Sequence, residues 1–231
     1  VEELTDMGAN RFLGGTFHHV GGQVLRLFGD SIGLAKSFTI LDDGDSDSLL
    51  NEVIRDLDPG FFKSKENPKA KPIKGLLSFS RNIGASFEEV AKGRYPSNTE
   101  LCSKIDSFAR IYQQTKLERG LADYDDLLVY WLEVMENNQE AAEYYQQRFS
   151  HVLVDEYQDV NSLQARIVDK IASNHQIMAV GDDAQCIYTW RGADLDQIMS
   201  FPERHPGTKI FKIETNYRSS PEILELANGI L

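Results

Sequence analysis

No run of about 18 consecutive apolar residues occurs in this 231-residue chain, so hydropathy gives no membrane-spanning helix. The first residues are acidic and show no basic-then-apolar leader, so no signal peptide is expected. Cysteine is scarce. Cys102 and Cys186 lie 84 positions apart with no CxxC or Cys/His spacing, which argues against a disulfide framework or a zinc site. That usage points to a reducing, cytoplasmic compartment. Positive charge is also short, with 24 Lys+Arg against 36 Asp+Glu and a formal net charge of −12. Taken whole, that balance disfavours a generic polyanion binder. With 41% hydrophobic and 26% charged residues, the composition is that of an ordinary globular protein with enough apolar material for a core.

The deficit of positive charge is uneven. Residues 60–94 carry eight basic residues (Lys63, Lys65, Lys69, Lys71, Lys74, Arg81, Lys92, Arg94) against Glu66, Glu88 and Glu89. This window has a surplus of five positive charges, which leaves −17 on the remainder. A solvated basic surface and a phosphate-binding one both fit this pattern. The acidic run 42–48 (DDGDSDS) lacks the glycine and final glutamate of a calcium loop, so it is read as a turn capping the next helix.

The second half alternates short apolar runs with helical spacing. HVLVDE (151–156), QIMAVG (176–181) and KIFKIE (209–214) read as strands, with RFLGGTF (11–17) as a further candidate. Helices are expected over 161–173, near 194–201 and from Pro221 onward. This rhythm predicts an α/β fold with a parallel sheet and right-handed crossovers. Residues 48–57, 85–92, 99–118 (behind a Thr99 cap), 123–136 and 139–149 read as helices. The window 58–98, with four of the seven prolines, reads as the loop-rich part of a helical insert.

Polar clusters follow the predicted strands, where open α/β sheets place their ligands. In VLVDEYQD, Asp155 is suited to hold hydrated Mg²⁺ and Glu156 to orient and deprotonate water, although two solvated carboxylates also fit. In GDDAQCIYTWRGAD, Gln185 could sense a terminal phosphate. Tyr188, Trp190 and Arg191 could hold a single-stranded base, a stack worth roughly 1–3 kcal/mol. Core-facing Tyr188 and Trp190 are the competing reading. In ETNYRSSPEIL, Arg218 offers charge to a γ-phosphate and Tyr217 a ring to a nucleobase, while Asn216 and the serines suit a helix cap. In GGTFHHV, Thr16 and His18 could contact a phosphate backbone.

In this order and at these intervals, DEYQD, GDDAQ.IY.WRGA and NYRS closely resemble the UvrD/Rep/PcrA-type superfamily 1 DNA helicases, and GTFHHV and DYDDLL agree. The resemblance covers most of 11–28 and 121–231. It implies a RecA-like P-loop NTPase domain, incomplete here, from 1–28 and 123–231, with an inserted, mostly helical subdomain at 29–122. It further implies ATP and Mg²⁺ as cofactors. Asp155 would be the metal ligand, Glu156 the catalytic base, Gln185 the link between γ-phosphate and DNA, Tyr217 the adenine stack and Arg218 the γ-phosphate arginine. Thr16, Phe17, His18, Tyr188, Trp190 and Arg191 would contact DNA. Single-stranded and duplex DNA would be the partners, together with repair or replication proteins.

One departure bears on activity. The chain contains no GxxxxGK[ST] and no Gly-Lys pair, so the family's phosphate-binding loop is missing. The expectation is an internal fragment without that loop or the second RecA-like domain, inactive as an ATPase by itself. A non-catalytic helicase-like module binding nucleic acid or protein is the alternative, and the helicase subunit of a helicase–nuclease is a third.

Overall fold

The computed structural model describes residues 12–172, 176–188 and 193–230. It is mostly helical, with two short parallel sheets. Helix α1 (Phe17–Phe28) starts where Thr16, in extended geometry, accepts the His19 amide on its side chain. The expected strand at 11–17 is therefore corrected. Phe17, Val20, Gly21, Val24, Leu25 and Phe28 form one apolar face at helical spacing, and that periodicity outweighs the short run before it. Gly21 lets α1 approach its neighbour closely, since a Cβ there would stand 2.9 Å from the Leu127 carbonyl.

The chain leaves through β1 (Thr39–Ile40), passes α2 (Asp43–Leu57), α3 (Ala70–Ile83), α4 (Phe87–Arg94) and α5 (Thr99–Glu118), and returns through β2 (Leu121–Ala122), parallel to β1. The acidic turn acts as read: Asp42 caps α2 by accepting the Asp45 amide at 2.8 Å. Helix α5 has the expected bounds, but its cap is Asn98, not Thr99. Helix α3 lies in the window read as loop. Pro72 occupies its first turn, where no backbone N–H is needed, and Ile73, Leu77 and Ser80 are buried along one face.

After β2 come α6 (Tyr124–Asn137), α7 (Gln139–Arg148), β3 (His151–Val154), α8 (Ser162–Ile171) and β4 (Gln176–Ala179). β3 and β4 pair in parallel from His151↔Gln176 to Val154↔Ala179, with α8 as the crossover expected from sequence. The helix expected near 194–201 is two short ones, α9 (Leu195–Met199) and α10 (Phe201–Arg204), with Pro202 opening the second. Residues 209–214 form no strand. Ile210, Phe211 and Ile213 are 74–88% exposed, and a β run without a ladder partner among the described residues gains no sheet hydrogen bonds. Helix α11 (Pro221–Asn228) follows.

The helices between β1 and β2 pack around their own core, which runs from Leu41 to Tyr112. A second core joins α1, α6, α7 and α8 around Leu127, Trp131 and Ile167. β2 serves both, because successive strand side chains point to opposite faces. Leu121 packs on the first core and Ala122 on the second. Among the described residues, no helix is long and apolar enough to cross a membrane.

Candidate functional site

The carboxyl ends of β3 and β4 bring two of the sequence motifs together. After Val154 the chain turns sharply at Glu156, the only non-glycine with positive φ among the described residues (φ 51°, ψ 44°). Holding glutamate in this left-handed region costs about 1–3 kcal/mol and persists only where neighbours over-determine it. They do so here: the Val180 amide donates to the Val154 carbonyl at 2.9 Å, and the Tyr157 amide to the Val180 carbonyl at 2.8 Å. The Asp155 carboxylate accepts the Glu156 amide at 3.0 Å. Both acidic side chains are exposed at the strand end.

A hydrogen-bond path runs from this turn to the loop after β4. Gln158 is 1% exposed; its Nε2 donates to Glu156 Oε2 at 2.7 Å, and its Oε1 accepts the Asp182 amide at 3.0 Å. The Asp182 side chain accepts from the Ala184 amide at 3.1 Å and from Gln185 Nε2 at 2.7 Å. Glu156, Gln158, Asp182 and Gln185 thus form a continuous chain. Gly181 lies against it, where a Cβ would come within 2.7 Å of Gln158 Oε1. Cys186 Sγ donates to the Gln158 carbonyl at 3.4 Å.

Behind the turn, Tyr157 is fully buried and its hydroxyl accepts from Arg204 at 3.0 Å. Arg204 also grips both Asp169 carboxylate oxygens at 2.7 Å, and His205 contacts the same carboxylate at 2.9 Å. This cluster ties α10 to α8 and fixes the floor beneath Glu156. One guanidinium nitrogen, Nη1, serves both oxygens of this carboxylate, while Nη2 reaches the Tyr157 hydroxyl and the Gln197 carbonyl.

The residues match the model of the UvrD/REP helicase N-terminal domain family over 1–206. The chain belongs to the UvrD/REP helicase family. The family match takes in Asp155, Glu156 and Gln185 and ends before Tyr217 and Arg218. Among its relatives is the ATP-dependent DNA helicase PcrA of Bacillus subtilis, 35% identical over 237 residues, covering 100% of this chain and 30% of the relative. The protein of the same name from Staphylococcus epidermidis is 32% identical, covering 100% of this chain and 31% of its own length. That of Leuconostoc citreum is 33% identical over 217 residues, covering 94% and 28%. The chain therefore spans about 30% of the length of the curated relatives it matches.

The other family motifs are less tightly assembled. Tyr217 is 93% exposed and Arg218 is exposed. The Asn216 side chain accepts the Arg218 and Ser219 amides at 2.8 and 2.9 Å, which shapes that segment as a turn. No hydrogen bond or ion pair among the described residues joins Tyr217 or Arg218 to Glu156 or Gln185. Thr16 is the α1 cap, and Phe17 is half-buried, with its ring 6.4 Å from that of Trp131. His18 lies edge-on to Tyr124 at 5.8 Å, and burial lowers its pKa against the pull of Asp125. Tyr188 is 40% exposed, while Trp190 and Arg191 lie outside the described residues.

The basic window is partly spent on ion pairs within the chain, at the surface as well as in the interior. Lys74 pairs with Asp43 and Asp47, Lys92 with Glu88, and Arg81 is buried against Asp126 at 3.1 Å. Lys63, Lys65, Lys69 and Lys71 remain exposed at the approach to α3. Sequence reading missed two features: Gln158 as a bridge, and Arg81 as an interior charge. Both sit in polar surroundings that read as surface, and only their position under a turn or between helices buries them.

Proposed function

We propose that these residues form part of the motor of an ATP-dependent DNA helicase of the UvrD/Rep type, moving 3′ to 5′ on single strands and unwinding duplex. The hydrogen-bond path from Glu156 through Gln158 and Asp182 to Gln185 carries this reading, because it links the residue suited to activate water with the residue suited to sense a phosphate. Residues 1–28 and 123–231 contribute to a RecA-like domain and 29–122 are the helical insert; the helices between β1 and β2 have their own core, while Leu34 and Phe38 pack with α1 and α6. Tyr217 stacks on adenine and Arg218 faces the γ-phosphate. Thr16, Phe17, His18, Tyr188, Trp190 and Arg191 serve the single strand. The protein works in the cytoplasm with repair or replication proteins.

The donor chemistry fits a nucleotide-borne Mg²⁺, which typically takes one or two carboxylates plus substrate phosphates. Asp155 offers one exposed carboxylate at the strand end, and among the described residues no group of three or more His, Cys, Asp or Glu forms an all-protein cage. Asp155 would hold the ion, which when bound supplies charge neutralisation on the phosphates. The names of the relatives, ATP-dependent DNA helicases, support ATP and DNA as ligands.

The deciding assay is ATP hydrolysis by the full-length polypeptide containing these residues, with and without single-stranded DNA. Glu156→Gln should lower kcat by about 10²–10⁴-fold, the usual worth of a general base. Unchanged turnover would sink the proposal. The 231-residue chain alone, with no GxxxxGK[ST], is expected to hydrolyse no appreciable ATP. Complete inactivity of the full-length protein would instead favour a non-catalytic DNA- or protein-binding module.

A further inference from the structure

Gln158 is placed in the interior for a reason that packing does not supply. A buried amide must satisfy both ends, and its two neighbours dictate its orientation. The Glu156 carboxylate only accepts, so it takes Nε2 at 2.7 Å; the Asp182 amide only donates, so it takes Oε1 at 3.0 Å. The Gln158 backbone carbonyl accepts Cys186 Sγ at 3.4 Å, and Gly181 leaves no room for a side chain against Oε1. Three contacts from the 181–186 loop thus converge on one residue that touches the carboxylate of Glu156, whose backbone is held at positive φ. A movement of that loop acts on the amide that holds the Glu156 carboxylate, because Nε2 and Oε1 belong to one rigid planar group.

We infer that Gln158 is a positioning residue which couples the 181–186 loop to the Glu156 carboxylate, so that hydrolysis responds to what that loop and the segment beyond it bind. The inference rests on the hydrolysis reading above and extends it: the response of turnover to single-stranded DNA passes through this amide. Gln158 touches neither nucleotide nor DNA. Its substitution therefore alters the ratio of DNA-stimulated to basal kcat while nucleotide binding is retained.

The test is steady-state ATP hydrolysis by the full-length protein, with oligothymidylate as the DNA probe. Gln158→Met fills the same space without either hydrogen bond, and Gln158→Glu keeps the acceptor while losing the donor. Both should reduce the stimulation ratio by about tenfold or more, as expected where a reacting group shifts by an ångström or less, with KM for ATP within about twofold of wild type. Gln158→Glu, which keeps the acceptor for the Asp182 amide, supplies the reading if Gln158→Met does not fold. A folded Gln158→Met or Gln158→Glu protein with the wild-type ratio overturns the coupling, even where Glu156→Gln abolishes turnover. Full turnover in Glu156→Gln overturns the hydrolysis reading and the coupling with it.

Discussion

Lys116 and Asp126 form an ion pair with no solvent exposure on either side chain, 2.5 Å between Nζ and Oδ2. Lys116 also reaches Asp123, whose carboxylate accepts from Tyr112 at 2.9 Å. Arg81 completes the group from α3. Two cations from the helices between β1 and β2 thereby balance two carboxylates at the start of α6, where Asp123 and Asp126 also form the capping box. Such a group is stable only when complete.

Removing one member should therefore cost more than an ordinary surface substitution. Lys116→Met leaves two carboxylates facing Arg81 alone, and the expected loss is about 3–5 kcal/mol of unfolding free energy. Urea denaturation followed by circular dichroism measures it. A loss under about 1 kcal/mol, the level of an exposed pair, would show that the charges are hydrated in solution.

Acid should weaken the same junction. Burial works against ionisation of Asp123, but Lys116 and Arg81 prevail and hold its carboxyl at about 2, below the ordinary 3.8. A depressed carboxyl stabilises the fold above its unfolded value and loses that contribution as pH falls through its folded value. The stability gap between wild type and Asp123→Asn should be full above about pH 4–5 and shrink toward about pH 2. A gap constant over that range would contradict the shift.

Binding to DNA should divide by charge. Replacing Lys63, Lys65, Lys69 and Lys71 by alanine should flatten the log–log salt dependence of duplex binding by up to about 0.9 for each phosphate no longer neutralised. His18→Asn should weaken binding with less effect on that slope than the lysine replacements, because burial disfavours the charged His18 ring. Fluorescence anisotropy across a salt series reads both, and a slope unchanged by the lysine replacements would remove this surface from the interface.

Gly181→Ala places a methyl 2.7 Å from both Gln158 Oε1 and Ile198 Cδ1, and 3.2 Å from the Gln158 backbone nitrogen. Overpacking of this kind costs about 1–3 kcal/mol. Thermal melts should show the loss, together with a reduced DNA stimulation of the full-length enzyme. A melt unchanged from wild type would mean that the loop yields freely.

Local rules were sufficient for much of the fold. The bounds of α5, the β3–α8–β4 unit and the capped acidic turn follow from periodicity and caps, which act over a few residues. Helix α3 was hidden because Pro72 and its lysines read as loop, although a first-turn proline is harmless and its apolar stripe is narrow. The strand expected at 209–214 failed for the opposite reason: its pattern is sound, but a strand exists only with a partner. At the candidate site, the position of Asp155 and Glu156 just past a strand end was legible from the apolar run before them. The burial of Gln158 was not, since it arises from a left-handed turn that tucks the next residues under a neighbouring loop.

The pairing of Thr39–Ile40 with Leu121–Ala122 sets the outgoing and returning chain side by side, with the Thr39 amide on the Gly120 carbonyl at 3.0 Å and the Leu41 amide on that of Ala122 at 2.8 Å. A module whose two ends meet can be cut out, exchanged or lengthened without rerouting its host. Yet the cut would strand Asp123 and Asp126 in the host without Lys116 and Arg81. Any replacement grafted at this seam must therefore bring two interior cations of its own, so the host dictates a chemical requirement to whatever is inserted there.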